Sequence, residues 1–302
     1  MANEIDALLD ELSIFNFDNL KRDTILHCIE MASGKPYFDV KIEEIVGRND
    51  FSKLVREAFN SIKSAIKFLY EECNVIDYKL LPYNTQLIFI TEYFRLKENI
   101  ITEIDKRRLR SWFWKTSYAN YFTVYSLSKQ RRALQYLKDF VSESDREIFY
   151  QDDINEEFNT ALLPTNFKIH LGSVRMKSSL LFMLYTYFDS SNPGSLINNA
   201  NETFEVGYLF TGYKDLSSVI IRLKSPLKAE SKLRKIGKKD FSYLLDNPDL
   251  NENDKYFINK KVYELAKRGS LEEASYERLI HFFEKEKKFV KALGINYNNN
   301  KF

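Results

Sequence analysis

The chain has 302 residues, of which 44% are apolar and 29% are charged, and its formal net charge is +2. This length suffices for one large or two ordinary domains, and 24 Phe and 19 Tyr can form a sizeable core, which excludes wholesale disorder. Glycine (9) and proline (6) are scarce, which favours long helices over a turn-rich β-sandwich.

Apolar periodicity predicts that the first half of the chain is a succession of helices. In residues 51–70 the apolar side chains recur at spacings of three and four, which places them on one helical stripe. Pro82 begins a new element. The same reasoning predicts further helices over residues 5–12, 20–31, 86–96, 105–118 and 128–141.

An acidic segment at residues 142–157 interrupts this pattern and predicts a solvated connection, so we place a domain boundary near Pro164. Beyond it, Ser173 begins a strongly apolar helix that extends to Asp189, and further helices are predicted over residues 254–268 and 276–292. Alternating apolar residues at 204–210 and the β-branched run at 219–221 predict one or two short strands.

The predicted fold class is therefore mainly α. We expect a multi-helix bundle over residues 1–164 and a second, mostly helical domain over residues 165–302 that carries the one or two strands. The acidic, amphipathic N-terminus is unlike a signal peptide, and the most apolar run, at residues 179–188, is too short to span a bilayer. A cytoplasmic protein with no membrane partner is expected.

Cysteine and histidine offer little catalytic chemistry. Cys28 and Cys73 lie in apolar-periodic stretches without a Cys-x-x-Cys pair, which predicts two buried free thiols. The histidines at positions 27, 170 and 281 belong to no metal-binding pattern, so no metal site is predicted. His170 is the only one of them in a predicted loop.

One constellation resembles a nuclease site. Asp215 precedes an apolar run, and Glu230 and Lys232 follow it in a Glu-x-Lys arrangement. Two carboxylates on adjacent strands can hold Mg²⁺, and a lysine can stabilise developing phosphate charge. The competing interpretation is a solvated charged face, which is the commoner outcome in a chain this rich in charge. We favour the solvated face, with Mg²⁺ implied only in the nuclease alternative.

Two stretches are rich in cations. Residues 106–115 carry five cations and no acid, and we interpret them as a solvated helix face. Residues 224–239, here called the basic segment, carry seven cations and one acid and could neutralise several phosphates. For the basic segment, phosphate contact and plain solvated surface remain equal alternatives. The seven candidate DNA-contacting residues are Lys224, Lys228, Lys232, Arg234, Lys235, Lys238 and Lys239.

Three segments resemble a large bacterial family, the ParB-like/HNH restriction proteins of the GmrSD type. Residues 80–83 read Leu-Leu-Pro-Tyr, and residues 110–118 read RSWFWKTSY after a buried helix of similar length. The apolar lead-in at 51–69 is the second segment, and the third, KIGKKDFSYLL at residues 235–245, is similar to part of the HNH region. The resemblance implies a helical middle region followed by an HNH-like region.

The chain also departs from that family. It contains no Asp-Gly-Gln-Gln-Arg motif of the ParB-like domain, and residues 217–221, Ser-Ser-Val-Ile-Ile, stand where a His-His pair is expected. A hydroxyl cannot replace imidazole as general base, so no catalytic residue is carried over and the HNH region is interpreted as degenerate.

The sequence leaves three hypotheses for function. The first is a non-catalytic helical scaffold or a DNA- and partner-binding module of a restriction or phage-defence system, beside a ParB-like subunit or domain. The second is a metal-dependent nuclease that uses Asp215, Glu230 and Lys232. The third is a pure protein-interaction or regulatory module. The first is favoured, which makes catalytic activity of the chain on its own the weaker expectation.

Overall fold

The computed structural model describes residues 1–123, 126–142, 167–187, 203–224, 239–246 and 254–298, together with Thr160 and Leu163. The chain divides into two compact units, Met1–Phe158 and Asn159–Phe302. Helices dominate the described residues of both, which confirms the predicted mainly α fold. The predicted acidic connection beyond Ser142 and the predicted boundary at Pro164 lie outside the described residues.

Unit 1 is built from helices, and its predicted helices are confirmed. The long helix formed by residues 51–73 contacts four other helices of the unit and buries the apolar stripe that its sequence predicts. It ends at Asn74, whose φ of 56° is left-handed, a conformation that asparagine tolerates. The helices are α1 (Ala2–Leu12), α2 (Arg22–Ala32), α3 (Ile42–Ile45), α4 (Phe51–Cys73), α5 (Asn84–Leu96), α6 (Glu103–Tyr118) and α7 (Leu127–Ser142).

Both tryptophans belong to the core of unit 1. Trp112 is 3% exposed and stacks on Phe89 of α5, with 6.1 Å between ring centroids. Trp114, on another face of α6, is 2% exposed and stacks on Tyr118. A dense aromatic segment in the sequence therefore forms a packed layer inside the unit.

Unit 2 combines helices with a small sheet. Its helices are α8 (Val174–Tyr187), α9 (Lys260–Lys267) and α10 (Leu271–Ala292), and its strands are β1 (Thr203–Tyr208), β2 (Val219–Lys224) and β3 (Lys239–Asp240). The sheet order is β2-β1-β3, with β2 antiparallel and β3 parallel to β1. Strands β1 and β2 occur where alternation and β-branching predict them. The two-residue β3 is too short to show periodicity.

The single helix predicted over residues 254–268 is wrong over its first six residues, 254–259. Residues Asp254–Tyr256 form a 3₁₀ turn, Phe257 has a left-handed φ of 63°, and α9 begins only after Asn259. The Asn259 side chain accepts the N–H of Val262 at 2.9 Å and caps the helix. Apolar periodicity alone does not show whether a helix runs through the whole stretch or begins at a capping residue inside it.

A buried ion pair joins α8 to α10 in unit 2. Arg175 donates from Nη1 and Nη2 to the two carboxylate oxygens of Glu286, at 2.8 and 2.6 Å. Ser179 and Tyr297 donate to the same carboxylate at 2.8 and 2.5 Å. Because the pair is bidentate and its carboxylate accepts four hydrogen bonds, part of the desolvation cost of the two buried charges is offset, although Nε of Arg175 is buried and makes no hydrogen bond with the described residues. Among the described residues, no helix combines the length and apolarity needed to cross a membrane.

Candidate functional site

Asp215 is the one member of the predicted nuclease constellation that the structure describes. Its Oδ1 accepts hydrogen bonds from the backbone N–H of Ser217 at 2.9 Å and from the Ser217 hydroxyl at 2.5 Å. This is an Asx turn, in which the carboxylate organises the backbone two residues on. Glu230 and Lys232 lie outside the described residues. The structure therefore assigns Asp215 a role in the turn that leads into β2.

The buried side chain of Arg278 stabilises this turn through hydrogen bonds to its backbone. It is 1% exposed, and its guanidinium donates to the carbonyls of Leu216, Ser217 and Val219 at 3.3, 2.6 and 2.8 Å. Burial lowers the pKa of Arg278 to about 9, against the opposing charge of Asp215. Sequence reasoning missed this residue, because an arginine in an amphipathic helix resembles a surface cation.

The two ends of the basic segment lie on different strands that pair with the same central strand, β1. Lys224 is the last residue of β2 and pairs with Thr203, at one end of β1. Lys239 is the first residue of β3 and pairs with Gly207, near the other end of β1. The two ends of the segment are therefore anchored on opposite edges of β1. The cations between them, at positions 228, 232, 234, 235 and 238, lie outside the described residues.

The other cation-rich stretch, residues 106–115, is largely occupied with contacts inside unit 1. The carboxylate of Glu72 in α4 forms ion pairs with Nζ of Lys106 at 3.6 Å and with Nη1 of Arg110 at 3.1 Å. The guanidinium of Arg108 lies 3.7 Å from the centroid of the Phe140 ring. These contacts reduce the positive charge that the stretch can offer to a phosphate.

Each histidine has a contact that accounts for its position. His27 packs against a tyrosine ring with 4.8 Å between centroids, and burial lowers its pKa against the opposing charge of Asp23. His170 is exposed, and its Nδ1 accepts a backbone N–H two residues on at 3.1 Å. His281 lies 2.9 Å from the carboxylate of Asp254. These contacts give the three rings structural roles and bring no two of them together.

The predicted state of the cysteines is confirmed. Cys28 and Cys73 are free and buried. Burial raises the pKa of the Cys28 thiol to about 12 and that of Cys73 well above its ordinary value, so both are protonated at neutral pH. Within the part of the chain that the structure describes, no group of three or more His, Cys, Asp or Glu could hold a metal ion.

A groove with a volume of about 410 Å³ lies between α1 and α4 and is here called the α1–α4 groove. Its apolar lining includes Ala7 and Leu8 of α1 and Val55 and Phe59 of α4. Leu8 and Val55 are buried, whereas Ala7 is exposed and Phe59 is half-buried. The signal in the sequence was Phe59, a large aromatic that lies beside the apolar stripe of α4 and not within it.

The charges around the α1–α4 groove are unevenly compensated. Lys63 pairs with Glu11 at 2.5 Å, and Glu4 lies 2.8 Å from the amino group of Met1. Arg56 is exposed on the groove wall and makes no ion pair or hydrogen bond with any described residue. The groove therefore presents one uncompensated guanidinium beside an apolar floor.

A scan against known protein families and searches of characterised proteins and of solved structures found no match for this chain. Its resemblance to the ParB-like/HNH restriction proteins accordingly rests on the three sequence segments alone. The features that bear on function are those segments, the basic segment and the α1–α4 groove.

Proposed function

We propose that the chain is a non-catalytic helical module of a restriction or phage-defence system, which scaffolds a ParB-like partner protein and contacts DNA through the basic segment. The observation that carries the DNA contact is the anchoring of a seven-cation, one-acid segment at both ends on β1. The resemblance of residues 80–83, 110–118 and 235–245 to restriction proteins supports the biological setting.

The physical case for DNA contact is electrostatic. Each lysine or arginine that neutralises a phosphate releases condensed counterions, so binding weakens steeply as salt rises. A segment whose two ends are fixed has fewer conformations in the free protein than a free tail has. It therefore loses less conformational entropy on binding. Such contacts position a protein on DNA without reading its sequence.

The experiment is duplex DNA binding by the full chain across a salt series. Replacing Lys232, Arg234 and Lys235 with Gln removes three cations from the basic segment. We expect weaker binding at every salt concentration and a plot of log K against log salt that is shallower by about 3, since each phosphate contact contributes about 0.9 to the slope. Fluorescence anisotropy measures both quantities.

A matched control removes the same charge elsewhere in unit 2. Lys287, Lys288 and Lys291 are exposed on α10, and none has a partner among the described residues. Their replacement with Gln should leave the salt slope unchanged. Equal effects of the two triple variants, or no DNA binding at low salt in the presence of the partner, would refute the DNA contact.

The scaffolding part is tested separately, by size-exclusion chromatography with a ParB-like protein that carries the Asp-Gly-Gln-Gln-Arg motif. A complex that elutes earlier than either component is expected. Separate elution at micromolar concentration would reject this part of the proposal. A stable complex without DNA binding would instead favour the pure protein-interaction module.

The metal-dependent nuclease is the second candidate function, and Asp215, half-buried in the turn that leads into β2, is its member among the described residues. The residues proposed to act are Asp215, Glu230 and Lys232 with Mg²⁺. Plasmid cleavage with Mg²⁺ or Mn²⁺ tests it. Asp215→Asn keeps an oxygen for the Asx turn while it removes the charge, so unchanged cleavage by that variant would eliminate Asp215 as a metal ligand.

A further inference from the structure

The α1–α4 groove has the shape of a helix-binding site. The side chains that line it recur at spacings of three and four on both helices: residues 4, 7, 8 and 11 on α1, and residues 52, 55, 56, 59, 60 and 63 on α4. At 1.5 Å per residue, the α4 side extends for about 16 Å, or three helical turns. A partner helix of three to four turns matches that length.

The floor of the groove supplies the apolar contact. Among the apolar lining residues, Ala7 is exposed and Phe59 is half-buried, whereas Leu8 and Val55 belong to the core of unit 1. In helix-in-groove recognition, a partner lays an apolar face with anchors at i, i+3, i+4 and i+7 into a trough of this kind. The small side chain of Ala7 leaves the space that such an anchor needs.

The charge of the groove specifies the partner further. Glu11 neutralises Lys63 toward one end, and Glu4 lies toward the other, beside the Met1 amino group. Arg56 lies midway along the α4 side without a partner among the described residues. A guanidinium at the edge of an apolar floor is matched by a carboxylate that can accept two hydrogen bonds from it.

We propose that the α1–α4 groove binds an amphipathic helix of a partner protein, whose apolar face fills the space above Ala7 and whose flanking carboxylate pairs with Arg56. This inference rests on the scaffolding part of the proposed function, for which it names a surface and the chemistry of the partner. It does not depend on the DNA contact.

The test uses a displayed library of 14-residue helical peptides with an apolar i, i+3, i+4, i+7 face and randomised remaining positions, selected on the full chain. We expect selected peptides to carry Asp or Glu next to the apolar face. Arg56→Glu should weaken their binding at least tenfold, and changing the peptide acid to Lys should restore binding to that variant. Ala7→Trp, which fills the groove, should abolish binding to both.

Arg107→Glu is the matched control, because it makes the same charge change at an exposed position on α6. It should leave peptide affinity within twofold, and circular dichroism should show that all variants fold. Failure to select any peptide, or binding that survives both Ala7→Trp and Arg56→Glu, would overturn the inference. If the ParB-like protein still co-elutes with Ala7→Trp, the groove inference fails while the proposed function stands.

Discussion

Arg278 carries a full charge in the interior of unit 2, yet its described hydrogen bonds all go to backbone carbonyls. Besides the carbonyls of Leu216, Ser217 and Val219, it donates to the carbonyl of Tyr256 at 3.0 Å. The residue thus ties α10 both to the 3₁₀ turn at Asp254–Tyr256 and to the entry of the sheet. Without Arg278, each of these carbonyls would lose a hydrogen bond in the protein interior, which carries a substantial desolvation cost.

Arg278→Lys should destabilise unit 2 by about 2–4 kcal/mol, because an ammonium keeps the charge but cannot satisfy carbonyls on two sides at once. Urea unfolding followed by far-ultraviolet circular dichroism measures the change. Arg268→Lys, at an exposed position after α9, is the control and should fall within about 0.5 kcal/mol of the unaltered chain. Equal stability of both variants would show that the carbonyl contacts contribute little.

Glu30, near the C-terminal end of α2, is a buried acid that is only partly satisfied. The backbone N–H of Ile42 donates to its carboxylate, but Oε2 is buried and accepts no hydrogen bond from the described residues. Burial raises the pKa of Glu30 to about 7, and the charges of Glu43 and Glu44 add to the rise. The folded state therefore binds a proton that the unfolded chain releases near pH 4.5.

The sign of the linkage predicts that unit 1 loses stability as pH rises from about 4.5 to about 7, because only the folded state keeps the Glu30 proton in that window. Glu30→Gln removes the contribution of Glu30 to this dependence and should raise the free energy of unfolding at pH 8 by about 1–3 kcal/mol. Urea titrations at pH 5 and pH 8 check it. Glu284→Gln, exposed on α10, is the control and should leave the pH dependence intact.

At the scale of elements, one side chain joins two helices of unit 1. Gln86 of α5 is fully buried, and its Nε2 lies 2.8–3.1 Å from the carbonyl of Phe113 and from the hydroxyls of Thr116 and Ser117 on α6, which share the two N–H donors of the amide. Its Oε1 accepts the backbone N–H of Tyr83 at the start of α5. The same residue therefore caps one helix and fixes the neighbour against it.

Gln86→Leu keeps the volume of the side chain but removes the cap and the bridge, so we expect unit 1 to lose about 1–3 kcal/mol. The midpoint of urea unfolding, followed by tryptophan fluorescence, should move accordingly. Gln135→Leu on the exposed face of α7 is the control and should have little effect. A Gln86→Leu variant as stable as the unaltered chain would mean that apolar packing alone positions α5 against α6.

At the scale of the whole molecule, the two units each have a core of their own. In unit 1 the core surrounds α4, and in unit 2 the sheet packs in a cluster with α9 and the start of α10. The chain has two tryptophans, Trp112 and Trp114, and both belong to unit 1. Tryptophan fluorescence therefore reports on one unit, whereas far-ultraviolet circular dichroism reports on both.

This division predicts a separation of signals. In Arg278→Lys, the circular dichroism transition should broaden or split, while the midpoint seen by tryptophan fluorescence stays where it is in the unaltered chain. In Gln86→Leu the fluorescence midpoint should move. A fluorescence midpoint that shifts with Arg278→Lys would show that the two units unfold as one cooperative body, contrary to expectation.

The candidate sites differ in how far the sequence foretold them. The place of Asp215 before an apolar run is consistent with a metal ligand, but the structure gives its carboxylate a hydrogen bond within a turn, and a linear pattern cannot distinguish the two. Arg56 was not singled out at all, because its importance depends on α1, which lies more than forty residues earlier in the chain. Contacts between distant segments have no signature in local periodicity.

The sequence by itself determined the mainly α class, the long apolar stripe of α4, the positions of β1 and β2 and the burial of both cysteines. These follow from periodicity and hydrophobicity, which act along the chain. Only the tertiary structure decided which charged side chains are paired within the protein and which remain available to a binding partner. Glu72 forms ion pairs with Lys106 and Arg110, and Arg278 donates hydrogen bonds to buried carbonyls. Arg56, in contrast, lines a groove. Electrostatic interactions act over long distances, and the fold determines which charged groups come close together. Composition alone therefore cannot predict the partner of a given charge.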